Sequence, residues 1–432
     1  MPGGAERAGV ASWRFVWYTA SQGISIIGTM MSYTALYWLT LHIAHGNAAV
    51  LSTIVAAQFL PMLLFSRKAA AIVARHRPVH VVIVTQSAQA IGSLALAIPL
   101  LVGWMSVWYL AALAFAVGCA QVVDVPGRQM FMMSLVGEVE LRRGSSLYAA
   151  ITGLAKIAGP GLAGVIMALT NYADVFLVDA LSYLIVIGVL VRLSKEIIFE
   201  RPAGSDSEKV HGRFRWILRL PRDIQIAAGM ALLVGGFGIQ FEVTNPLMAT
   251  AVFHLSPIGF GLLGTLMAAG GIAGNFYSSR RQDPHYLEFV AWAMLFGLAE
   301  VIAAVMPVAW AYAILMVAIG ATIQLFAVSA IVYVQKNTPV TQRAQGLSAY
   351  NAGFMGFVPA GSFVVAGIAA HLGIRWALAC PGMLIVVAAV ALVVHGRRPK
   401  RGPEVADDYS QAGLPVSTAD QSDRSAPVAG HS

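Results

Sequence analysis

The sequence predicts an all-α membrane protein with twelve transmembrane helices arranged in two six-helix halves. Of its 432 residues, 58% are hydrophobic and 11% are charged, whereas a soluble domain carries roughly 25% charged residues. The mean hydropathy is +0.72. A soluble core does not need so much apolar surface. The net charge of +8 does not indicate nucleic-acid binding, because the basic residues flank apolar runs and form no patch.

Twelve apolar runs reach the roughly 20 residues that a membrane-spanning helix needs. An N-terminal segment, a basic linker and a disordered tail rich in Ser, Asp, Gly and Pro are expected around them. The predicted runs are 14–42, 48–68, 79–102, 105–126, 145–169 and 173–192 in the first half (14–192), and 224–250, 257–279, 286–306, 308–334, 346–370 and 374–395 in the second half (224–395). The surrounding segments are 1–13, 193–223 and 396–432.

The basic residues predict the orientation of the runs. All but Lys156 and Arg375 of the 28 Lys and Arg residues fall on the side of the membrane that both termini share. Because basic residues accumulate in cytoplasmic loops, both termini are predicted to be cytoplasmic in the cell membrane. This orientation also requires an even number of spans.

The two halves repeat each other. The second run reads LSTIVAAQ from Leu51, the eighth reads LGTLMAAG from Leu263, and each is followed by a pair of basic residues. The fifth and eleventh runs each contain a proline closely followed by glycine, at Pro160 and Pro359. Matching motifs in corresponding runs indicate two parallel six-helix halves.

Four segments resemble the enterobactin-exporter-like branch of the major facilitator superfamily, also called transmembrane secretion effectors. They are DVPGRQ with LVGEVEL, GLAKIAGPGLAG, FEVTNPLMATAVFHLSPIGFGLLGTLMAAGGIAG and VQKNTPVTQRAQG. The resemblance covers roughly residues 14 to 395. It implies a secondary transporter of twelve helices, typically an exporter of a small molecule driven by the proton gradient.

Four residues are expected at a cytoplasmic gate. Asp124 and Arg128 are one helical turn apart, a spacing that suits an ion pair, although Arg128 could equally reach another helix. Arg75 and Arg343 belong to segments that resemble two loop elements of the superfamily. The first of these departs from the pattern, because Ala74 replaces an Asp that normally holds the cytoplasmic side closed through a charge contact.

The seventh run contains the best-placed intramembrane carboxylate, Glu242. A charge inside the membrane costs about 2.5–3.5 kcal/mol on insertion scales, so a charged residue there is expected to have a functional or structural role. Glu242 lies beside Gln240, Asn245 and the helix-breaking Pro246, and the resemblance implies that this helix lines a central cavity. We predict proton coupling at Glu242, with Gln240 and Asn245 as possible substrate contacts. The alternative is a carboxylate that is merely solvated near the outer boundary.

Lys156 lies deep in the fifth run, where the family usually has Arg, and is too far inside for easy snorkelling. It is predicted to bind an anionic group of a substrate, with an ion pair between packed helices as the alternative. Asp179 and Glu300 lie in runs that do not line the cavity in this family, so a structural role is predicted for both.

The fifth run also contains a Gly159-Pro160-Gly161-x-x-Gly164 cluster. Such a cluster lets a helix bend and lets another helix approach closely. It resembles the antiporter motif of the superfamily and is predicted to be a hinge that favours export.

The first run carries uncharged polar residues at a spacing of three to four, including Gln22 and Tyr33. They are predicted to form a cavity wall for an amphiphilic, drug-like or siderophore-like molecule, or to make hydrogen bonds between helices. No ATP-binding, zinc-protease or hydrolase motif is present, so neither a cofactor, a metal, an ATPase subunit nor an enzyme is expected. The alternatives to an exporter are a flippase for lipids or lysolipids and a transport-inactive membrane scaffold or sensor.

Overall fold

The computed structural model describes residues 12–194, 220–281, 285–338 and 342–395. These residues are helical apart from short connections, and no strand occurs among them. The expected N-terminal segment, most of the linker and the tail lie outside the described residues.

Within these described ranges, twelve helical stretches are long and apolar enough to cross a membrane, which confirms the predicted fold class. We number them spans 1 to 12. Each corresponds to one predicted run, and most ends agree within two or three residues. The spans are Trp13–Ile43, Ala48–Ser66, Pro78–Val102, Val107–Val136, Arg143–Leu169, Tyr172–Ser194, Arg222–Val252, Pro257–Ser279, Tyr286–Val305, Ala309–Asn337, Gln345–Leu372 and Ile374–Val394.

Several span ends are fixed by side chains that satisfy free backbone groups. The Asn47 carboxamide oxygen accepts hydrogen bonds from two backbone N–H groups in the first turn of span 2, at 2.9 and 3.4 Å. Ser256 caps span 8 in the same way. Arg375, at the start of span 12, donates to two backbone carbonyls at the end of span 9, at 2.7 and 2.8 Å, and so ties these two spans together.

Spans 4 and 5 form one continuous helix, Val107–Leu169, so residues 127–144, which separate the two predicted runs, are helical as well. The helix still reverses direction. A Cβ placed on Gly144 would lie 2.7 Å from Cγ2 of Val136, whereas eight residues of straight helix cover about 12 Å. The connection stays helical because the segment after Pro126 is rich in Met, Leu, Glu and Arg, which are strong helix formers.

Span 7 is the most irregular element. It consists of α-helical Arg222–Ala231, π-helical Leu232–Gly238, a break at Ile239 and Gln240, α-helical Phe241–Leu247 and π-helical Met248–Val252. The expected helix breaker, Pro246, lies inside a helical segment, so that prediction is wrong. The break lies instead beside three glycines, which favour non-helical backbone. Span 11 is also interrupted, between Arg343–Gly356 and Val358–Leu372.

Spans 1 to 6 pack around one another, as do spans 7 to 12, and the halves meet mainly through spans 5 with 8 and 2 with 11. At one end of the bundle, the rings of Trp38 and Phe260 stack with centroids 5.0 Å apart. A Cβ on Gly164 would lie 2.6 Å from the carbonyl oxygen of Pro257. These contacts lie toward the end of the bundle opposite the start of span 1 and the end of span 12.

Candidate functional site

Glu242 lies in the first turn of the α-helical segment that follows the break in span 7. The residue is partly exposed, but its Oε2 atom is buried and has no hydrogen-bond partner in the described part of the chain. The segment touches spans 1 and 2 of the other half, and Tyr37 of span 1 lies within electrostatic reach of Glu242. An incompletely paired carboxylate therefore lies at the interface between the two halves.

The polar neighbours of Glu242 hold the broken helix in place. The Gln240 side-chain amide donates to the carbonyl oxygens of Gly236, at 2.7 Å, and Val358, at 3.3 Å. Asn245 accepts a 2.6 Å hydrogen bond from the Tyr312 hydroxyl of span 10. Both side chains are buried. They connect spans 7, 10 and 11 and do not line an open cavity wall. Their predicted role as substrate contacts stays a prediction.

Gly361 in span 11 makes this arrangement possible. A Cβ on Gly361 would fall on the carbonyl oxygen of Gly236 and lie 2.7 Å from the Gln240 amide nitrogen. Only glycine lets the backbone of span 11 approach the π-helical part of span 7 so closely. The sequence singles out Gly361 as part of a repeat, but not as a contact of this site.

Lys156 is exposed and lies on span 5. By helical periodicity it is about 140–160° around the helix from the exposed, lipid-facing Leu154 and Leu169, so it faces the space between the halves. No carboxylate among the described residues forms an ion pair with Lys156. The predicted alternative of an ion pair that packs helices together is therefore not what the structure contains.

The glycine and proline cluster of span 5 contacts both neighbours of that span. Gly159 packs against span 1, close to the Ile27 carbonyl oxygen, and Gly164 packs against the start of span 8. The Thr265 hydroxyl of span 8 donates a 2.9 Å hydrogen bond to the Ile157 carbonyl, near the proline. The cluster thus lies at a close approach of the two halves. The helix is continuous through Pro160, and the role of the cluster as a hinge stays a prediction.

Asp124 and Arg128 form the predicted ion pair within span 4, and both side chains are buried. Asp124 also accepts hydrogen bonds from two residues of span 3, Thr85 at 2.6 Å and Gln86 at 3.3 Å. The Tyr18 hydroxyl of span 1 donates to the Arg128 carbonyl at 3.0 Å. These contacts join spans 1, 3 and 4 inside the first half.

The other two predicted gate residues are not part of this cluster of contacts. Arg75 is exposed at the end of the helix that contains span 2. Arg343 begins the first helical segment of span 11, and its side chain lies outside the part of the molecule that the structure describes.

The two predicted wall residues of span 1 lie in the interior of the first half. Gln22 is fully buried, and neither of its amide atoms has a partner among the described residues. The Tyr33 hydroxyl donates to Gln121 of span 4. Gln22 packs against the other spans of its own half, and the role of both residues in a cavity wall stays a prediction.

Asp179, for which the sequence predicts a structural role, lies beside a small cavity of about 30 Å³. Its Oδ2 atom accepts hydrogen bonds from Ser32, at 2.6 Å, and Ser93, at 2.7 Å. Its Oδ1 atom has no partner in the described part of the chain. The missed signal is that polar residues occur at interior positions of spans 1, 2 and 3, opposite this carboxylate.

Glu300 is buried in the second half, where its Cβ packs against Gly382 of span 12. In the described ranges, no group of three or more His, Cys, Asp or Glu side chains could hold a metal ion.

Two helical halves that meet around a broken span with a carboxylate define a membrane transporter of the major facilitator type. The chain belongs to the transmembrane secretion effector family, whose model matches residues 9–423. It is 23% identical over 288 residues to the Staphyloferrin A transporter of Staphylococcus aureus (strain NCTC 8325 / PS 47), a match that covers 66% of this chain and 70% of that protein.

Solved transporters share the fold. A POT family transporter in complex with 5-aminolevulinic acid has a TM-score of 0.72 at 11% identity, over 88% of this chain and 95% of its own. The nucleoside transporter NupG has a TM-score of 0.68 at 11% identity, over 89% of this chain and 99% of its own. A bacterial homologue of the iron transporter ferroportin, in an inward-facing state, has a TM-score of 0.66 at 15% identity, over 87% and 98%.

Proposed function

We propose that this protein is a proton-coupled exporter of a small amphiphilic molecule, located in the cell membrane with both termini in the cytoplasm. The observation that carries the proposal is the carboxyl group of Glu242, whose buried Oε2 atom has no partner among the described residues, at the interface between the two halves. Alternating access opens this interface to one side of the membrane at a time. A carboxylate placed there meets water from each side in turn and can exchange a proton with it.

The break in span 7 supports this role. Gln240 in the break is bonded to span 11, and Asn245 in the following helical segment is bonded to span 10, so Glu242 between them is held in a defined position. The contacts of Trp38 with Phe260 and of Gly164 with Pro257 hold the halves together at one end of the bundle, which is the outer end if the termini are cytoplasmic. Glu242 lies in the half of span 7 nearer that end, where a rocking motion would admit water.

The substrate is proposed to carry an anionic group. Lys156 presents a cation to the space between the halves and has no ion-pair partner of its own among the described residues. A substrate carboxylate could supply that partner. The related Staphyloferrin A transporter favours the siderophore-like part of the expected range over neutral drug-like molecules.

A flippase needs a lateral opening wide enough for a lipid. An apolar groove does lie beside spans 8 and 10, lined by Leu266, Ile314 and Val317 among others. The two spans close its floor, because a Cβ on Gly270 would fall on the Val317 carbonyl. The groove is thus a surface depression against lipid, and it does not favour the flippase over the exporter.

The test is transport by the purified protein in liposomes with an imposed pH gradient, using a panel of siderophore-like and drug-like molecules. Glu242→Gln mimics the protonated carboxyl, so it should still bind and exchange substrate but lose accumulation driven by the gradient. Asp174→Asn, which removes a carboxylate at the start of span 6, is the matched control and should accumulate substrate normally. Accumulation by Glu242→Gln equal to that of the parent would place the coupling site elsewhere.

A further inference from the structure

We infer that Asp179 and the cavity beside it form a second protonation site, buried in the core of the first half. The site rests on the geometry around Asp179. Only its part in driving transport rests on the proposed proton coupling.

The cavity is enclosed by five spans. Its polar lining comes from spans 1, 2, 3 and 6, and apolar residues of spans 1, 3 and 4 complete the wall. At about 30 Å³ it can hold one water molecule, since such a site needs at least 10–15 Å³ and two or more polar partners. It is far too small for a siderophore-like molecule. The polar lining residues are Thr29, Ser32, Tyr33, Gln58, Ser93, Asp179 and Tyr183.

The hydrogen bonds of Asp179 leave its Oδ1 atom free to bind a proton. Two serine hydroxyls donate to Oδ2, while Oδ1 has no partner among the described residues, although only 1% of the residue is exposed. A buried polar atom without a partner is rare and calls for an unobserved water or a chemical role. A proton on Oδ1 removes the charge of this buried carboxylate while Oδ2 keeps its two serine donors.

The charges that face Asp179 do not provide a permanent counter-ion. From span 4 it faces Arg128, but the Arg128 guanidinium is already paired with Asp124. The titratable side chains on its other sides are tyrosines, Tyr33 on span 1 and Tyr183 on span 6 itself. Spans 2 and 3 present uncharged amides and hydroxyls. A single proton is therefore the smallest partner that neutralises this carboxylate.

Hydrogen bonds connect the cavity to the Asp124–Arg128 pair. The Tyr183 hydroxyl lies 2.9 Å from the Thr29 hydroxyl and donates to the Gln89 side-chain oxygen at 3.3 Å. The Gln89 amide donates to the Thr85 carbonyl at 3.4 Å, and the Thr85 hydroxyl donates to Asp124 at 2.6 Å. Polar groups thus extend from the wall of the cavity to the second buried carboxylate, Asp124.

On its other side the cavity leads toward Glu242. Gln58, which lines the cavity, accepts a 3.0 Å hydrogen bond from the Tyr37 hydroxyl, and Tyr37 lies within electrostatic reach of Glu242. The Asp179 site therefore lies between the interface carboxylate and the ion pair of span 4. When a hydronium ion reaches the cavity, its proton binds to the Asp179 carboxylate and a neutral water molecule remains.

The site is tested on the purified full-length protein without any substrate, by infrared difference spectroscopy between acidic and alkaline buffer. A carboxylic acid has a carbonyl stretching band that disappears when the proton leaves. The parent should show such bands, Asp179→Asn should lose one of them, and Glu242→Gln should keep that one. An Asp179→Asn spectrum identical to that of the parent would overturn the inference.

A second variant covers the case in which Asp179→Asn does not fold. Ser93→Ala removes one donor to Asp179 and should shift the frequency of the same band, because the hydrogen bonding of the carboxyl changes. Ser194→Ala, at the end of span 6, is the matched control and should leave the band in place. An unchanged frequency in Ser93→Ala, or a band that responds to sodium and not to pH, would also overturn the proton site. None of these readouts depends on transport, so they can fail or succeed independently of the test of Glu242.

Discussion

The carboxylate of Asp124 is paired with the guanidinium of Arg128 one helical turn later, and 9% or less of either side chain is exposed. A buried pair of this kind is costly to break, because the remaining charge is left without a partner. The pair also lies at the junction of spans 1, 3 and 4, through Tyr18 and Thr85. Its removal should therefore affect both stability and motion.

Arg128→Ala should destabilise the protein by about 3–5 kcal/mol, because Asp124 then remains charged and buried. Replacing both residues with apolar side chains of similar volume, Asp124→Leu with Arg128→Met, should cost much less. Denaturant unfolding in detergent is measured for Asp124→Leu, for Arg128→Met and for the double variant. The three unfolding free energies give the coupling free energy between the two positions. If the single effects simply add up in the double variant, the pair does not interact in the way the structure indicates.

Arg128→Ala should also change the balance between the two access states, as expected for a gate residue. Spin labels at Ser146 and Asn337, exposed positions on the two halves, report the separation of the halves at the predicted cytoplasmic end by double electron–electron resonance, after Cys119 and Cys380 are replaced. The distance distribution should shift in Arg128→Ala and stay close to that of the parent in Arg128→Lys. A distribution unchanged by Arg128→Ala, together with normal transport, would remove Arg128 from the gate.

Gly361→Ala should fold poorly or lose transport, because its methyl group would collide with the Gly236 carbonyl and displace the break in span 7. Gly367→Ala is the matched control on the same span, since a Cβ there meets nothing within 4 Å. The yield of monodisperse protein and its thermal stability compare the two variants. Equal behaviour of both would show that spans 7 and 11 are not in close contact at this point.

Lys156→Gln should weaken the binding of an anionic substrate roughly tenfold or more, since an ion pair inside a membrane cavity is poorly screened. Its stability should hardly change, because Lys156 has no ion-pair partner among the described residues. Lys156→Arg keeps the charge and should retain most of the affinity. Binding of a neutral analogue should be the same in all three proteins, and a loss that is equal for neutral and anionic ligands would argue against a charge contact.

The orientation can be tested by labelling introduced cysteines with a membrane-impermeant maleimide, after Cys119 and Cys380 are replaced. Cysteines at residues 200–210, in the linker, should react only after the cells are permeabilised, because the basic residues predict that this segment is cytoplasmic. Trp104→Cys, between spans 3 and 4, should react in intact cells. Labelling of the linker in intact cells would overturn the orientation.

Hydrophobic runs were sufficient to predict the twelve spans, because the membrane imposes a length and a composition on each of them. Hydrophobic runs do not predict the backbone conformation where tertiary contacts determine it locally. The connection between spans 4 and 5 is helical, although Pro126 and Gly127 suggest a corner. The break in span 7 lies at Gln240, where span 11 approaches, and not at Pro246.

The candidate site could be predicted only in part. Glu242 and the Asp124–Arg128 pair stand out in the sequence because a charge inside a membrane needs a reason. Asp179 is just as conspicuous, but the sequence does not show which helices surround it. Its partners Ser32 and Ser93 come from two other spans, and small polar residues are common in membrane helices for packing alone.

The unbroken helix from Val107 to Leu169 has a mechanical consequence. A flexible loop would let spans 4 and 5 tilt independently, whereas a helical connection restricts the motion of one span relative to the other. We therefore expect the two spans to rotate as one rigid hairpin. Span 4 contains the ion pair of Asp124 and Arg128, and span 5 contains Gly164, which contacts the other half. We therefore expect a displacement at the ion pair to move the contact at Gly164.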